Sequence, residues 1–139
     1  MNKLTSLVIP LLLLTGCNNT KKHEPENHNY HEIRNNLIDW VDIFNQPERD
    51  YIVYFYSERC GHCNSIKNEI ISYYQTTDKK MYFVCTDYDA IFGPQTDLRG
   101  IDNIEDFYIF GTPFLIRLQE YTLTEYYAGT AAILNYIKQ

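Results

Sequence analysis

Cys60 and Cys63 are the residues whose type and spacing carry chemistry in this chain. Two cysteines three positions apart, in Cys60-Gly61-His62-Cys63, can open and close as a disulfide. They stand directly behind the apolar run Tyr51-Ile52-Val53-Tyr54-Phe55-Tyr56. If a strand gives way to a helix at Cys60, that sulfur meets unpaired backbone N–H groups and the positive end of the helix dipole, and both favour a thiolate. A thiolate attacks disulfides and a thiol does not, so the position selects thiol–disulfide exchange. Cys63, one turn into the helix on the same face, suits the resolving role that releases a mixed disulfide. His62 adds a donor and, when cationic, a charge that favours the Cys60 thiolate, while Gly61 lets the turn tighten and leaves the approach to Cys60 open.

Other readings of the same residues are weaker. Half a zinc site needs two more ligands, and the chain offers only Cys85 and scattered histidines. An inert structural disulfide is the stronger rival, because an exported location would preserve it. Cys85 lies mid-strand in an apolar run and reads as a small buried residue, with a third redox thiol as the sharper alternative. Asp87 and Asp89 read as a solvated loop before a cation site. His23, His28 and His31 fall in or beside a linker that offers no fixed ligand geometry. Neither a metal nor an organic cofactor is expected, since a dithiol itself carries two electrons.

The elements that must position the cysteines follow from periodicity. Ile33, Leu37, Trp40, Val41 and Phe44 predict one amphipathic helix from Tyr30 to Asn45, closed by Pro47. Tyr51 to Tyr56 is continuously apolar, as a central two-faced strand should be. Residues 61 to about 75 predict a helix with Ile66, Ile70 and Tyr73 or Tyr74 inward, and Met81 to Thr86 a second strand. Residues 87–106, with Gly93-Pro94 and Gly100, predict a loop and a short helix. Phe114 to Leu118 and Thr122 to Tyr127 predict an antiparallel hairpin turning at Gln119-Glu120, and Thr130 is a candidate cap for a last helix carrying Ile133, Leu134 and Ile137.

The 139 residues make one domain. A net charge of −6 with no basic stripe argues against nucleic acid as a partner. Thirteen tyrosines are read as packing. At the N-terminus, Lys3 precedes an apolar core from Leu4 to Leu14 and then Leu14-Thr15-Gly16-Cys17, the pattern of a secretory signal too short to span a membrane. Residues 18–29 carry no apolar side chain and predict a solvated tether reaching roughly 20 Å.

Two resemblances sharpen these expectations. Leu-Thr-Gly-Cys resembles the lipobox of bacterial lipoproteins. It implies removal of residues 1–16, a diacylglyceryl thioether on Cys17, a tether over 17–29 and a folded domain over 30–139. The run Tyr-Phe-Tyr-Ser-Glu-Arg-Cys-Gly-His-Cys resembles the active-site segment of thioredoxin-fold proteins, in the version found in protein disulfide isomerases and several exported bacterial oxidoreductases. Phe110-Gly111-Thr112-Pro113, about fifty residues past Cys63, matches a second mark of that family, and Gly129 a third. The resemblance implies an α/β thioredoxin-like fold with a central mixed sheet flanked by helices. It also implies a cis-proline at Pro113 and pairing of the Thr112 backbone with an extended substrate.

Three departures qualify it. Tyr54 stands where the family carries a buried acid, Arg59 replaces the usual aromatic before the first cysteine, and residues 87–106 hold an insertion. The charge of Arg59 is expected to help the Cys60 thiolate. Together the expectations are a lipid-anchored enzyme on the outer face of a bacterial cytoplasmic membrane, exchanging disulfides with exported proteins and recycled by a redox partner. Gly61-His62 and Arg59 favour an oxidant or isomerase. An exported reductase and a non-catalytic tethered binding module are the alternatives.

Overall fold

In a computed structural model, the described residues are 27–139. The signal-like segment, Cys17 and the tether as far as residue 26 lie outside them. Strand β1 (Asp50–Tyr56) is the centre of the molecule, with every residue after Asp50 buried. It pairs in parallel with β2 (Lys80–Cys85) and antiparallel with β3 (Phe114–Gln119), and β3 pairs with β4 (Thr122–Ala128), giving the order β2-β1-β3-β4. Successive side chains of β1 serve opposite faces, as strand geometry requires. Tyr51, Val53 and Phe55 join Trp40, Phe107, Ile109 and Phe114 in one core, while Ile52, Tyr54 and Tyr56 join Cys63, Ile66, Ile70 and Ile133 in the other. Each such buried side chain contributes on the order of 2 kcal/mol, so a strand buried on both sides anchors both layers. Helices α1 (Gly61–Ser65), α2 (Lys67–Thr76) and α3 (Thr130–Ile137) pack on the second face. A short 3₁₀ turn at Trp40–Asp42 and the long 86–113 connection cover the first.

The fold has the mixed central sheet and flanking helices expected of it, and differs from the sequence reading in local ways. The single helix expected over Tyr30–Asn45 is two 3₁₀ turns, Tyr30–Asn36 and Trp40–Asp42. Between them Leu37 is extended, and the chain is tied to the edge of β2: Ile38 N–H donates to the Phe83 carbonyl at 2.9 Å and the Asn36 amide to the Met81 carbonyl at 2.8 Å. Hydrogen bonds to an open sheet edge override helical periodicity here, leaving Leu37 and Val41 exposed where the stripe had them buried. Ile33 and Trp40 are buried as expected.

His28, read as tether, is buried. Its Nδ1 lies 3.0 Å from Glu32 Oε2, its Nε2 3.0 Å from Ser72 Oγ, and its N–H donates to Asn68 Oδ1. Asn29 caps the first 3₁₀ turn in a reciprocal box with Glu32. The helix after the cysteines is broken at Ile66 (φ −116°, ψ 9°), and Ile71 is buried as well as Ile70. No helix forms within 87–106, where a bridge between Phe92 and Ile109 holds the connection. The hairpin turns one residue later than expected, at Glu120 and Tyr121, both at positive φ as a two-residue turn between twisted strands requires. Helix α3 is headed by Gly129 at φ +84°, not by Thr130, whose side chain makes no cap.

Candidate active site

Strand β1 ends at Tyr56, and within four residues the chain enters α1. Cys60 holds the N-cap of that helix in an extended conformation, and its sulfur accepts the backbone N–H of Cys63 at 3.2 Å. An N-cap acceptor is ordinarily an oxygen of Ser, Thr, Asp or Asn. Here a sulfur fills the position, and the same N–H that would cap the helix stabilises negative charge on Cys60. Burial raises the Cys60 pKa, but hydrogen bonds from the Cys63 and Thr112 side chains and from the backbone N–H groups of Cys63 and His62 outweigh it, and the thiol ends below its ordinary value. The Thr112 carbonyl, 3.5 Å from Cys60 Sγ, accepts from the thiol form and works the other way.

Cys63 is the opposite case. It is fully buried, and burial together with its hydrogen bond to the Cys60 sulfur pushes its pKa up to about 11. The cysteines are a free dithiol, with Cys60 half-buried at the surface and Cys63 beneath.

Gly61 has open space where a side chain would project, so nothing at that position obstructs Cys60. His62 is exposed and acts on Cys60 through its backbone N–H. Arg59 is exposed, and its guanidinium lies 3.4 Å from Asp87 Oδ1; the groups that lower the Cys60 thiol are Cys63, Thr112 and His62. The Thr112–Pro113 peptide bond is cis. Gly129 N–H donates to the Pro113 carbonyl at 3.0 Å, so the start of α3 holds the loop that faces the cysteines. Beside it a cavity of about 250 Å³ is lined by Gln95, Phe110, Thr112, Pro113 and Gly129.

Cys85 is half-buried, burial raises its thiol, and its Sγ sits 3.5 Å from Asp87 Oδ2. Tyr54 is fully buried, and burial holds its phenol far above the ordinary tyrosine range, so it is a neutral hydroxyl at any working pH.

Asp87 has a part the sequence reading missed. It accepts from Ser57 Oγ at 2.6 Å and from Glu58 N–H at 3.2 Å, in addition to Arg59 and Cys85. It therefore clamps the 57–59 loop that delivers Cys60 into α1. The parallel pairing of Tyr56 with Cys85 brings the two strand ends side by side, and an acid two residues past the second strand was the available signal. Tyr30 was missed too; it stacks on Tyr56 with ring centres 4.2 Å apart and its hydroxyl is buried.

The Ser57 hydrogen bond, with support from Glu58 N–H, holds the Asp87 carboxyl below the usual range. A depressed folded pKa contributes stability above the unfolded value of about 4, and that contribution is lost as pH falls through the folded value. Asp87→Ala is expected to cost about 1 kcal/mol in urea unfolding at pH 7, with the difference shrinking below pH 4, and to speed hydrogen exchange at Glu58. Unchanged exchange at Glu58 would show that the clamp does not hold the loop.

The chain matches the family model described as Thioredoxin over residues 29–129. Among solved structures it is similar to thioredoxin f2 of Chlamydomonas reinhardtii, at 19% identity and a TM-score of 0.52, covering 74% of this chain and 93% of that one. It is also similar to mitochondrial thioredoxin 3 of Saccharomyces cerevisiae in its oxidized form, at 16% identity and 0.51, covering 78% and 96%. No curated protein matches the chain in sequence. With the model covering most of its length and Cys60 and Cys63 at the Cys-X-X-Cys spacing on a shared fold, the chain belongs to the thioredoxin family.

Proposed function

We propose that this protein is a membrane-anchored thiol–disulfide oxidoreductase acting on exported proteins through Cys60 and Cys63. The asymmetry of the two sulfurs carries the reading: the accessible one is stabilised as a thiolate and the buried one is held as a thiol. In the oxidising direction, a substrate thiolate attacks the Cys60 sulfur of the disulfide and Cys63 leaves. A second substrate thiolate then displaces Cys60, which departs as the stabilised thiolate. In the reducing direction, Cys60 attacks a substrate disulfide and Cys63 resolves the mixed disulfide. Thr112 and Pro113 border the surface along which an extended substrate lies. A redox partner restores the starting state.

The stabilised Cys60 thiolate favours the oxidant or isomerase, because it lowers the free energy of the reduced form. Arg59 no longer supports that direction, being paired with Asp87. Anchoring rests on the lipobox-like Leu14-Thr15-Gly16-Cys17, whose lipid would hold the domain to the membrane at about 0.8 kcal/mol per buried methylene.

Four measurements test this reading. Alkylation of Cys60 against pH is expected to inflect below the ordinary thiol value of about 8.5, and Cys63→Ser protein to accumulate mixed disulfides with exported proteins. An inflection at the ordinary value and no trapped species would leave only a binding scaffold. Equilibration with glutathione is expected to give a potential near or above roughly −200 mV; a value near −270 mV would instead assign the reductase. Finally, Cys17→Ala is expected to release the protein from the membrane fraction, and persistence there would remove the lipid from the account.

A further inference from the structure

Beneath the dithiol lies a group of tyrosines that the exchange reading does not use. The Tyr54 ring is fixed between Tyr56, stacked at 6.3 Å, and Phe83, edge-on at 6.0 Å, and it shares a core with Cys63, Cys60 and Tyr30. The hydroxyl of Tyr54 is fully buried and has no hydrogen-bond partner among the described residues, and the same holds for the buried hydroxyl of Tyr30. A buried donor without an acceptor is costly, and native cores keep few of them. An acceptor that forms only during turnover accounts for this one.

Such an acceptor is at hand. In the reduced protein the Cys63 thiol is hydrogen-bonded to the Cys60 sulfur. Once Cys60 is joined to a substrate in a mixed disulfide, its sulfur carries no charge and that bond is lost. Cys63 must then become an anion in a buried site. The Ser57 backbone and the Thr112 side chain favour its charge, while burial opposes it most strongly. The groups that interact most with the Tyr54 hydroxyl are Cys63, Tyr30, Cys60 and Tyr56, in that order. Burial suppresses ionisation of the Tyr54 phenol, so toward this sulfur its hydroxyl can act as a donor and not as a base.

We propose that the Tyr54 hydroxyl donates a hydrogen bond to the Cys63 sulfur when that sulfur is an anion, and that this contact sets the rate at which the mixed disulfide is resolved. This rests on the exchange reading and adds a residue to it. In the step concerned, Cys63 loses its proton to solvent and its electron pair attacks the Cys60 sulfur. The Cys60–Cys63 bond forms, the bond from Cys60 to the substrate breaks, and the substrate sulfur leaves with the electron pair and takes up a proton. The enzyme is oxidised and the substrate sulfur reduced. In the reverse direction Cys63 is the leaving thiolate, and the same donor stabilises it.

The test uses the full chain and a chromogenic aromatic disulfide that releases a coloured thiolate twice. The first release reports attack by Cys60, and the second reports resolution by Cys63; Cys60→Ser protein supplies the background from Cys85 and from Cys63 acting alone. Tyr54→Phe keeps the ring and removes only the hydroxyl. It is expected to leave the first release unchanged and to slow the second about tenfold at neutral pH, with the pH at which the second release levels off moved upward by about one unit. Because the hydroxyl is unpartnered in the resting protein, the variant is expected to melt no lower than the parent. Tyr30→Phe, the comparison, is expected to change the second release less than twofold. An unchanged second release in Tyr54→Phe, an equal slowing of both releases, or a larger effect from Tyr30→Phe each overturns the proposal. If the parent chain shows no fast first release, the exchange reading itself fails, and that result is distinct from the others.

Discussion

The hydrogen bonds gathered where one helix begins govern the chemistry of this molecule. The amide of Cys63 points at the Cys60 sulfur because α1 begins there, and α1 begins there because β1 can run no further. A strand buried on both faces must be left abruptly, and the 57–59 turn reverses the chain onto the helical layer. Asp87 pins that turn from the neighbouring strand end through Ser57 and Glu58. From the other side, the Gly129 amide fixes the Pro113 carbonyl, which requires a backbone that only glycine adopts freely. The thiolate is thus a consequence of strand pairing and helix start more than of any charged side chain. His62 acts on Cys60 through its main-chain amide, and Arg59 pairs with Asp87.

That division explains what was legible in the sequence. The Cys-X-X-Cys spacing, the two-faced strand before it and the hairpin after Pro113 depend on local pattern, and they stand where the residues said they would, the hairpin turn one residue later. The features that were not legible depend on tertiary hydrogen bonds. Leu37 and Val41 keep helical spacing with Ile33 and Trp40, yet the open edge of β2 draws the chain out of a helix. His28 looks like part of a polar linker until Ser72 and Asn68, some forty positions on, supply its partners. Asp87 looks like a loop acid until the β1–β2 register brings Ser57 beside it. Periodicity records which side chains are apolar; it does not record which backbone groups elsewhere lack a partner.

The tyrosine content has a similar double reading. Tyr51 behaves as a core tyrosine should, its hydroxyl reaching the Ile43 carbonyl at 2.7 Å. Tyr82 finds Glu48 at 2.5 Å and Tyr74 finds Asn36 at 2.9 Å. Against that background the unpartnered buried hydroxyls of Tyr30, Tyr54 and Tyr136 are exceptions among the described residues, and all three belong to the cluster that holds the two cysteines. If shape alone mattered at position 54, phenylalanine would fill the same space without burying an unmet donor.

A buried carboxylate beneath a resolving cysteine takes its proton and then carries a charge into an apolar core. A phenol whose ionisation is suppressed by burial does neither. It leaves the proton to solvent and offers the anion a fixed dipole, which costs no reorganisation when charge develops. The two arrangements differ in how rate depends on pH. With a base, resolution follows the ionisation of the base; with a donor alone, it follows the thiol itself and rises until Cys63 is fully ionised. A site built this way is slow to resolve in acid and fast in alkali. It also treats both directions of exchange alike, since Cys63 carries the same developing charge whether it attacks or departs. That leaves Cys60, with its thiol below the ordinary value, as the sulfur in which the two directions differ.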